Sequence, residues 1–197
     1  MGVFNSPTLQ SERLILRKFE KSDIEALFLL LQDEEVNTFL PWFPARSMRN
    51  AAEFYERKFA GVYRQKQGYA YAVCLKTDDF PIGYIQAETD ESRDLGYALR
   101  KEYWHRGIIS EAGRVLIQKL REDGVPYITA THDVKNPRSG GVMRALGMRY
   151  RYSYKEQWQP KNIPVVFRMY QLNLDGEQDR IYTKYRERYE HFIESGV

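Results

Sequence analysis

Apolar and polar positions first alternate in "RLILRKF", where Leu14 and Leu16 mark a strand with one buried face. Ser22 and Glu25 have the spacing of a capping box ahead of an apolar run, which predicts a helix over 23–32. "NTFLPWFPARS", rich in proline and aromatics, reads as a loop, and Ala51, Phe54, Tyr55 and Phe59 behind it fall at helical spacing. The run from Tyr69 to Leu99 holds three strand-like segments parted by "TDDFP" and "TDESR", an antiparallel meander. A helix over 110–122 stops at Gly124, a good left-handed terminator.

"VPYITATHD" then reads as a buried β-branched strand. "NPRSGGVMRALG" opens with Asn136 as N-cap and Pro137 at the first helical position, and closes with Gly147. Two strands follow around "QPKNIP". Ile181, Tyr182, Tyr185, Tyr189, Phe192 and Ile193 form a helical stripe. The pattern predicts one domain over 1–174 and an amphipathic helix over 175–197, packed on that domain or on a partner subunit in a homodimer.

Composition narrows the function classes. With 43% hydrophobic residues in 197, the chain can bury one substantial core. Its net charge of +3 comes from scattered basic residues, a pattern that calls for neither nucleic acid nor an anionic membrane. Cys74 is the single cysteine, which excludes an internal disulfide and a cysteine-based metal cluster; in "YAYAVCLK" it reads as a buried, inert thiol. No apolar run reaches the roughly 18 residues of a membrane span, and no signal segment opens the chain, so a cytoplasmic protein with no metal is expected.

The chemistry concentrates in "YWHRGIISEA", Tyr103 to Ala112, between a strand-like and a helix-like run. A helix start leaves N–H groups unpaired and partly positive, and Gly107 lets a phosphate approach them. The glycine patterns of a P-loop or a dinucleotide fold are absent.

Together, "LGYALRKEYWHRGIISEA", the downstream "NPRSGGVMRALGM" and the opening "SERLILRKFEKSDIEALF" resemble the GCN5-related N-acetyltransferases, in the branch that holds the ribosomal-protein N-terminal acetyltransferases RimJ and RimL. The resemblance spans about residues 8 to 173. It implies an α+β fold with a mixed, mostly antiparallel sheet of about seven strands flanked by helices, and acetyl-CoA as co-substrate. It places the pyrophosphate on the backbone of Arg106 to Ser110, with Trp104, His105, Gly107, Ile108 and Ile109 in the same loop and helix start. The pantetheine would pair with Ala98 and Leu99, with Asn136 beside it and Ser139 near the thiol. Ile109 stands where relatives carry Gly or Ala, and Met143 where many carry a catalytic tyrosine.

Acetyl transfer to an amine needs a neutral nucleophile, an oxyanion donor and a proton for the departing thiolate. An α-amine of pKa near 7.7 to 8.0 costs roughly 1 to 1.4 kcal/mol to deprotonate at pH 7, against about 4.6 for a lysine. Ser139 is the candidate proton donor, the alternative being a helix cap. Glu88, Asp94 and His132 are candidate bases, each with an alternative as an ordinary strand-end or structural residue. Glu111 is read as a partner of the helix dipole. Phe39, Trp42, Phe43 and Tyr97 are assigned to the acceptor side, with loop packing the competing reading for the first three. The acceptor is expected to be a small-molecule amine or a protein N-terminus. Two further readings stay open: a non-catalytic acyl-CoA-binding module and an unrelated nucleotide-phosphate binder.

Overall fold

A computed structural model describes residues 4–197. The N-terminal part contributes β1 (Phe4–Asn5), β2 (Leu9–Gln10) and β3 (Leu14–Arg17), then α1 (Ile24–Leu31), α2 (Glu34–Asn37) and α3 (Met48–Tyr55). The helix of α3 runs on through a π-turn (Glu56–Ala60) into α4 (Gly61–Tyr63). The capping box lies two residues earlier than Ser22 and Glu25 suggest, formed by Glu20 and Asp23. Arg17 holds the buried Asp23 carboxylate with contacts of 2.7 and 3.1 Å, and that carboxylate receives the Glu20 N–H at 2.8 Å. Ser22 is left exposed.

The meander is formed by β4 (Gln67–Leu75), β5 (Pro81–Ala87) and β6 (Leu95–Leu99), hydrogen-bonded in the order β2-β3-β4-β5-β6, with β1 parallel to β4. Side chains alternate across β4: Tyr69, Tyr71 and Val73 enter one core cluster, and Ala70, Ala72 and Cys74 the other. Helix α5 (Ile108–Glu122) covers the first face, burying Ile108, Ile109, Ala112, Leu116, Ile117 and Leu120. Each such Leu or Ile contributes roughly 1.5–3 kcal/mol when fully buried. Helices α1 and α3 cover the other face with Leu27, Leu30, Leu31, Phe54 and, from the π-turn, Phe59.

A second sheet follows, built from β7 (Tyr127–Asp133), β8 (Arg149–Trp158) and β9 (Ile163–Asn173), with α6 (Pro137–Ala145) between β7 and β8. Its order is β10-β8-β9-β7, where β10 is His191–Phe192. One parallel bridge, Asp94 to Thr129, joins the two sheets. Beyond it β6 and β7 have no ladder pairs among the described residues, so the expected single sheet is divided by a cleft.

The C-terminal segment departs from its expected form. The stripe predicts a helix over 175–197, but α7 covers only Lys184–Arg188, and β10 then pairs antiparallel with β8. Aromatic packing replaces helical periodicity: Tyr185 and Tyr189 stack on Tyr154 with centroids 5.1 and 5.4 Å apart. Glu194 also anchors the segment, accepting from Arg168 and from Ser153 Oγ. The segment therefore packs on its own domain.

Candidate active site

The cleft between β6 and β7 opens into a cavity of about 850 Å³, within the usual size of ligand sites. Its cofactor-side floor is the turn into α5. The backbone is left-handed at His105 (φ 59°) and Gly107 (φ 69°), and the first helical bond runs from the Glu111 N–H to the Gly107 carbonyl. The N–H groups of Ile108, Ile109 and Ser110 have no acceptor among the described residues. They form an anion-binding helix start with its dipole aimed at the cavity. A non-glycine residue in the left-handed region is strained, and such strain gathers at functional turns.

This turn is tied down from outside. Glu111 accepts from Ser11 Oγ (2.6 Å), the Arg13 N–H (3.0 Å) and Arg13 Nε (2.7 Å), and Arg13 Nη2 also donates to the Arg106 carbonyl at 3.1 Å. Burial opposes ionisation of Glu111, but these donors outweigh it and hold the carboxyl below its ordinary value. Glu111 thus fixes the turn through its bonds to Ser11 and Arg13 as well as complementing the dipole. The Ile109 side chain is 6% exposed in the core cluster with Ile108, so its bulk is taken up by packing.

On the strand side, Trp104 Nε1 donates to the Leu99 carbonyl at 2.8 Å. Trp104 is therefore a clamp between strand and loop, and it already occupies one lone pair of the Leu99 carbonyl. The Arg138 guanidinium lies 4.6 Å above the Trp104 ring. Nothing in the local sequence pointed to Arg138, because the pairing joins α6 to a loop more than thirty residues away.

Asn136 Oδ1 accepts from the Ser139 N–H at 3.4 Å, capping α6 as its position predicts. Ser139 Oγ lies 2.7 Å from the Tyr97 hydroxyl, which is also 3.1 Å from the Ser139 carbonyl. Burial raises the Tyr97 pKa well above its ordinary value, against the hydrogen bond from Ser139 and with the charge of Asp94. The position that carries tyrosine in many relatives, Met143, is 1% exposed in the core. A tyrosine hydroxyl reaches Ser139 from β6 instead.

The candidate bases separate. Asp94 lines the cavity, its Oδ1 is buried without a partner, and burial, then Glu88, push its carboxyl up to about 7 despite Lys58. Glu88 is committed: its Oε1 accepts from Gln86 Nε2 at 2.6 Å and from Lys58 Nζ at 3.2 Å. His132 borders the cavity but is 3% exposed, with Nδ1 2.8 Å from the Asp133 carbonyl. That carbonyl only accepts, so Nδ1 carries the proton. Gly140 covers Nε2 so closely that a Cβ there would stand 2.7 Å from it. Burial lowers the His132 pKa, and the imidazole is a neutral packing group beneath α6.

At the other end, Phe39 and Trp42 line the cavity, and Trp42 packs edge-on against Phe54 with centroids 4.8 Å apart. Phe43 is 64% exposed and lies outside the lining, because the loop turns it to solvent. The opposite wall is Tyr154, Glu156 and Trp158 of β8, with Tyr185 of the C-terminal segment. Sequence reading did not assign Tyr185 here, because its contact depends on the tail folding back over β8.

Helices on both faces of a sheet, a cleft between two diverging parallel strands and a bare helix start at its base define an acyl-CoA-dependent transferase. The acetyltransferase (GNAT) domain model matches residues 13–149, more than half of the chain, and the protein belongs to that family. The uncharacterized N-acetyltransferase YoaA of Bacillus subtilis is 23% identical over 171 residues, covering 84% of this chain and 96% of that protein. A GNAT-family acetyltransferase from Bacillus anthracis superposes with a TM-score of 0.74 at 22% identity, over 86% of this chain and 99% of that one. RimL, the ribosomal L7/L12 α-N-protein acetyltransferase solved with coenzyme A, gives 0.68 at 19% identity, over 87% and 100% of the two chains. The chain is accordingly an acetyl-CoA-dependent acyltransferase, and the cavity residues fit that co-substrate. No helix among the described residues is long and apolar enough to cross a membrane.

Proposed function

We propose that the protein acetylates a primary amine by direct attack of that amine on the acetyl thioester, with Asp94 as general base and the Ser139–Tyr97 pair as proton donor. The observation that carries this reading is the buried, unpartnered Asp94 Oδ1 in a cavity that also holds the paired hydroxyls. Acetyl-CoA supplies the activated acetyl group. The N–H groups of Ile108 to Ser110 would hold its pyrophosphate, and the free edge of β6 at Ala98 its pantetheine.

Asp94 accepts the proton of the acceptor ammonium. Its carboxyl near 7 is matched to that task, since a general base works best with a pKa near the working pH. The Tyr97 hydroxyl donates to the Ser139 carbonyl and shares a 2.7 Å hydrogen bond with Ser139 Oγ, which holds the Ser139 hydroxyl in place to give its proton to the departing sulfur. Holding amine and thioester in line supplies a large further share of the rate.

The test is thiol release from acetyl-CoA over a panel of primary amines, with Asp94→Asn measured beside the wild type. Turnover that falls about 10²- to 10⁴-fold in the variant is expected. Acetyl-CoA binding without turnover on any amine would favour the non-catalytic binding module instead.

A further inference from the structure

The far end of the cavity holds two buried oxygens without a partner, on Gln86 and Asp94, and one carboxylate, Glu156, without a basic partner. Tyr154, Glu156 and Trp158 stand two residues apart on one face of β8, and all three border the cavity. Glu156 is half-buried between the two aromatic residues, and no basic nitrogen of the described residues lies within ion-pairing distance of it. Arg188 acts on it only at longer range, and Tyr189 supplies a hydroxyl. Deeper in, Gln86 is 5% exposed; its Nε2 is spent on Glu88, and its Oε1 has no partner. Asp94 Oδ1 is unpartnered as well.

The basic residues that line the cavity are already engaged. Lys58 pairs with Glu88 at 3.2 Å, Arg138 stacks on Trp104 at 4.6 Å, and Arg106 lies 5.6 Å over Tyr103 on the cofactor side. A ligand that satisfies this end must bring donors and positive charge.

The walls also limit its size. Lys161, at the tip of the β8–β9 hairpin, donates to the Asn37 carbonyl at 2.6 Å and the Thr38 carbonyl at 3.0 Å and lies 5.6 Å over the Trp158 ring, tying the hairpin to the end of α2 beside the cavity-lining Thr38 and Trp158. The C-terminal segment closes the side, with Tyr185 stacked on Tyr154 at 5.1 Å. A folded polypeptide would have to displace the hairpin tip, whereas a small molecule would not.

We infer that the acceptor is a small diamine, with a second positive charge besides the amine that is acetylated, and that Glu156, walled by Tyr185 from the C-terminal segment, reads that charge. Asp94 and Gln86 receive the reacting nitrogen, and Glu156 receives the distal one among aromatic faces, where a cation is also stabilised by ring quadrupoles. This rests on the acetyltransferase reading, and its test separates the two.

Wild type, Glu156→Gln, Tyr185→Phe and Tyr185→Ala are compared with a linear diamine, the monoamine of equal chain length and a short peptide as acceptors. The diamine is expected to exceed both others in kcat/KM by about tenfold or more. Glu156→Gln should remove that preference through the diamine KM, leaving the monoamine and acetyl-CoA constants in place. Tyr185→Ala should weaken the diamine and Tyr185→Phe largely restore it, with thermal melts showing that each variant is folded. Diamine binding is also read without acetyl-CoA from the intrinsic fluorescence of the three cavity tryptophans, Trp42, Trp104 and Trp158, and Glu156→Gln should weaken it by about tenfold. Equal use of both amines, preference for the peptide, or equal losses on both amines in Glu156→Gln would overturn the inference. If no amine is acetylated, the acetyltransferase reading fails, while the fluorescence titration still decides whether Glu156 binds a diamine.

Discussion

The Tyr97 hydroxyl on β6 stands 2.7 Å from Ser139 Oγ at the start of α6, across the cleft where the two sheets part. The contact joins residues that are 42 apart in the chain and brings two hydroxyls together at the cavity, whereas Met143 is buried in the core. A buried phenol above its ordinary pKa keeps its proton throughout the physiological range, so the pair stays protonated while Asp94 titrates.

The two hydroxyls should act as one unit. Ser139→Ala is expected to lower kcat by about 10²-fold with little change in acetyl-CoA KM. Tyr97→Phe should cost less, because Ser139 keeps its own proton. The double variant should be no worse than Ser139→Ala alone, since groups in one network are not additive. Steady-state kinetics of the four proteins decides it, and full additivity would separate Tyr97 from the proton path.

Asp94 should link activity and stability in opposite directions. As a base it must be ionised, so kcat/KM should rise with pH through about 7 and then level off. For stability, the folded carboxyl is raised above its ordinary value of 3.8 by burial, then by Glu88 and Asp90, with Lys58 opposing. Its contribution is therefore fully present below about 4 and is lost as pH rises toward 7. Asp94→Asn should remove that loss, giving a protein of strongly reduced activity that is more stable than wild type at pH 8 by about 2–4 kcal/mol. Denaturant titrations at pH 5 and pH 8 measure it; a variant less stable at pH 8 would count against the buried, unpaired carboxylate.

The brace on the pyrophosphate turn should be separable from chemistry. Glu111→Gln keeps the shape of the side chain but loses the charge that holds Arg13, and through Arg13 the Arg106 carbonyl. The acetyl-CoA dissociation constant should rise several-fold while kcat on bound substrate changes little, and stability should fall by about 1–2 kcal/mol. Because the Glu111 carboxyl is held below its ordinary 4.5, that stability is present above this pH and is lost as pH falls below it. Calorimetric titration with acetyl-CoA, together with acid unfolding of both proteins, tests the two effects.

Cys74 should be silent in the native protein. It is fully buried, and burial pushes its thiol up to about 12 even though Arg17 opposes the shift. A thiol-specific chromogenic disulfide at pH 8 should leave the folded protein unmodified and label one thiol per chain in denaturant. Rapid labelling under native conditions would mean that β4 opens.

The sequence by itself determined the elements that local physics dictates: alternation on β4, the α5 stripe, the Gly107 turn and the Asn136–Pro137 helix start. Each depends on neighbours a few residues away, so periodicity and capping chemistry reveal it. Tertiary structure decided which groups share a site. It left Asp94 Oδ1 unpartnered at the cavity, while Lys58 and Gln86 occupy Glu88 and Gly140 covers His132. It paired Tyr97 with Ser139 and turned Phe43 outward. It also converted a helical stripe at the C-terminus into a short helix and a strand, because stacking Tyr185 and Tyr189 on Tyr154 half-buries those rings against β8, which a lone helix could not do. Desolvation and long-range pairing depend on the whole fold, and no window of sequence contains them.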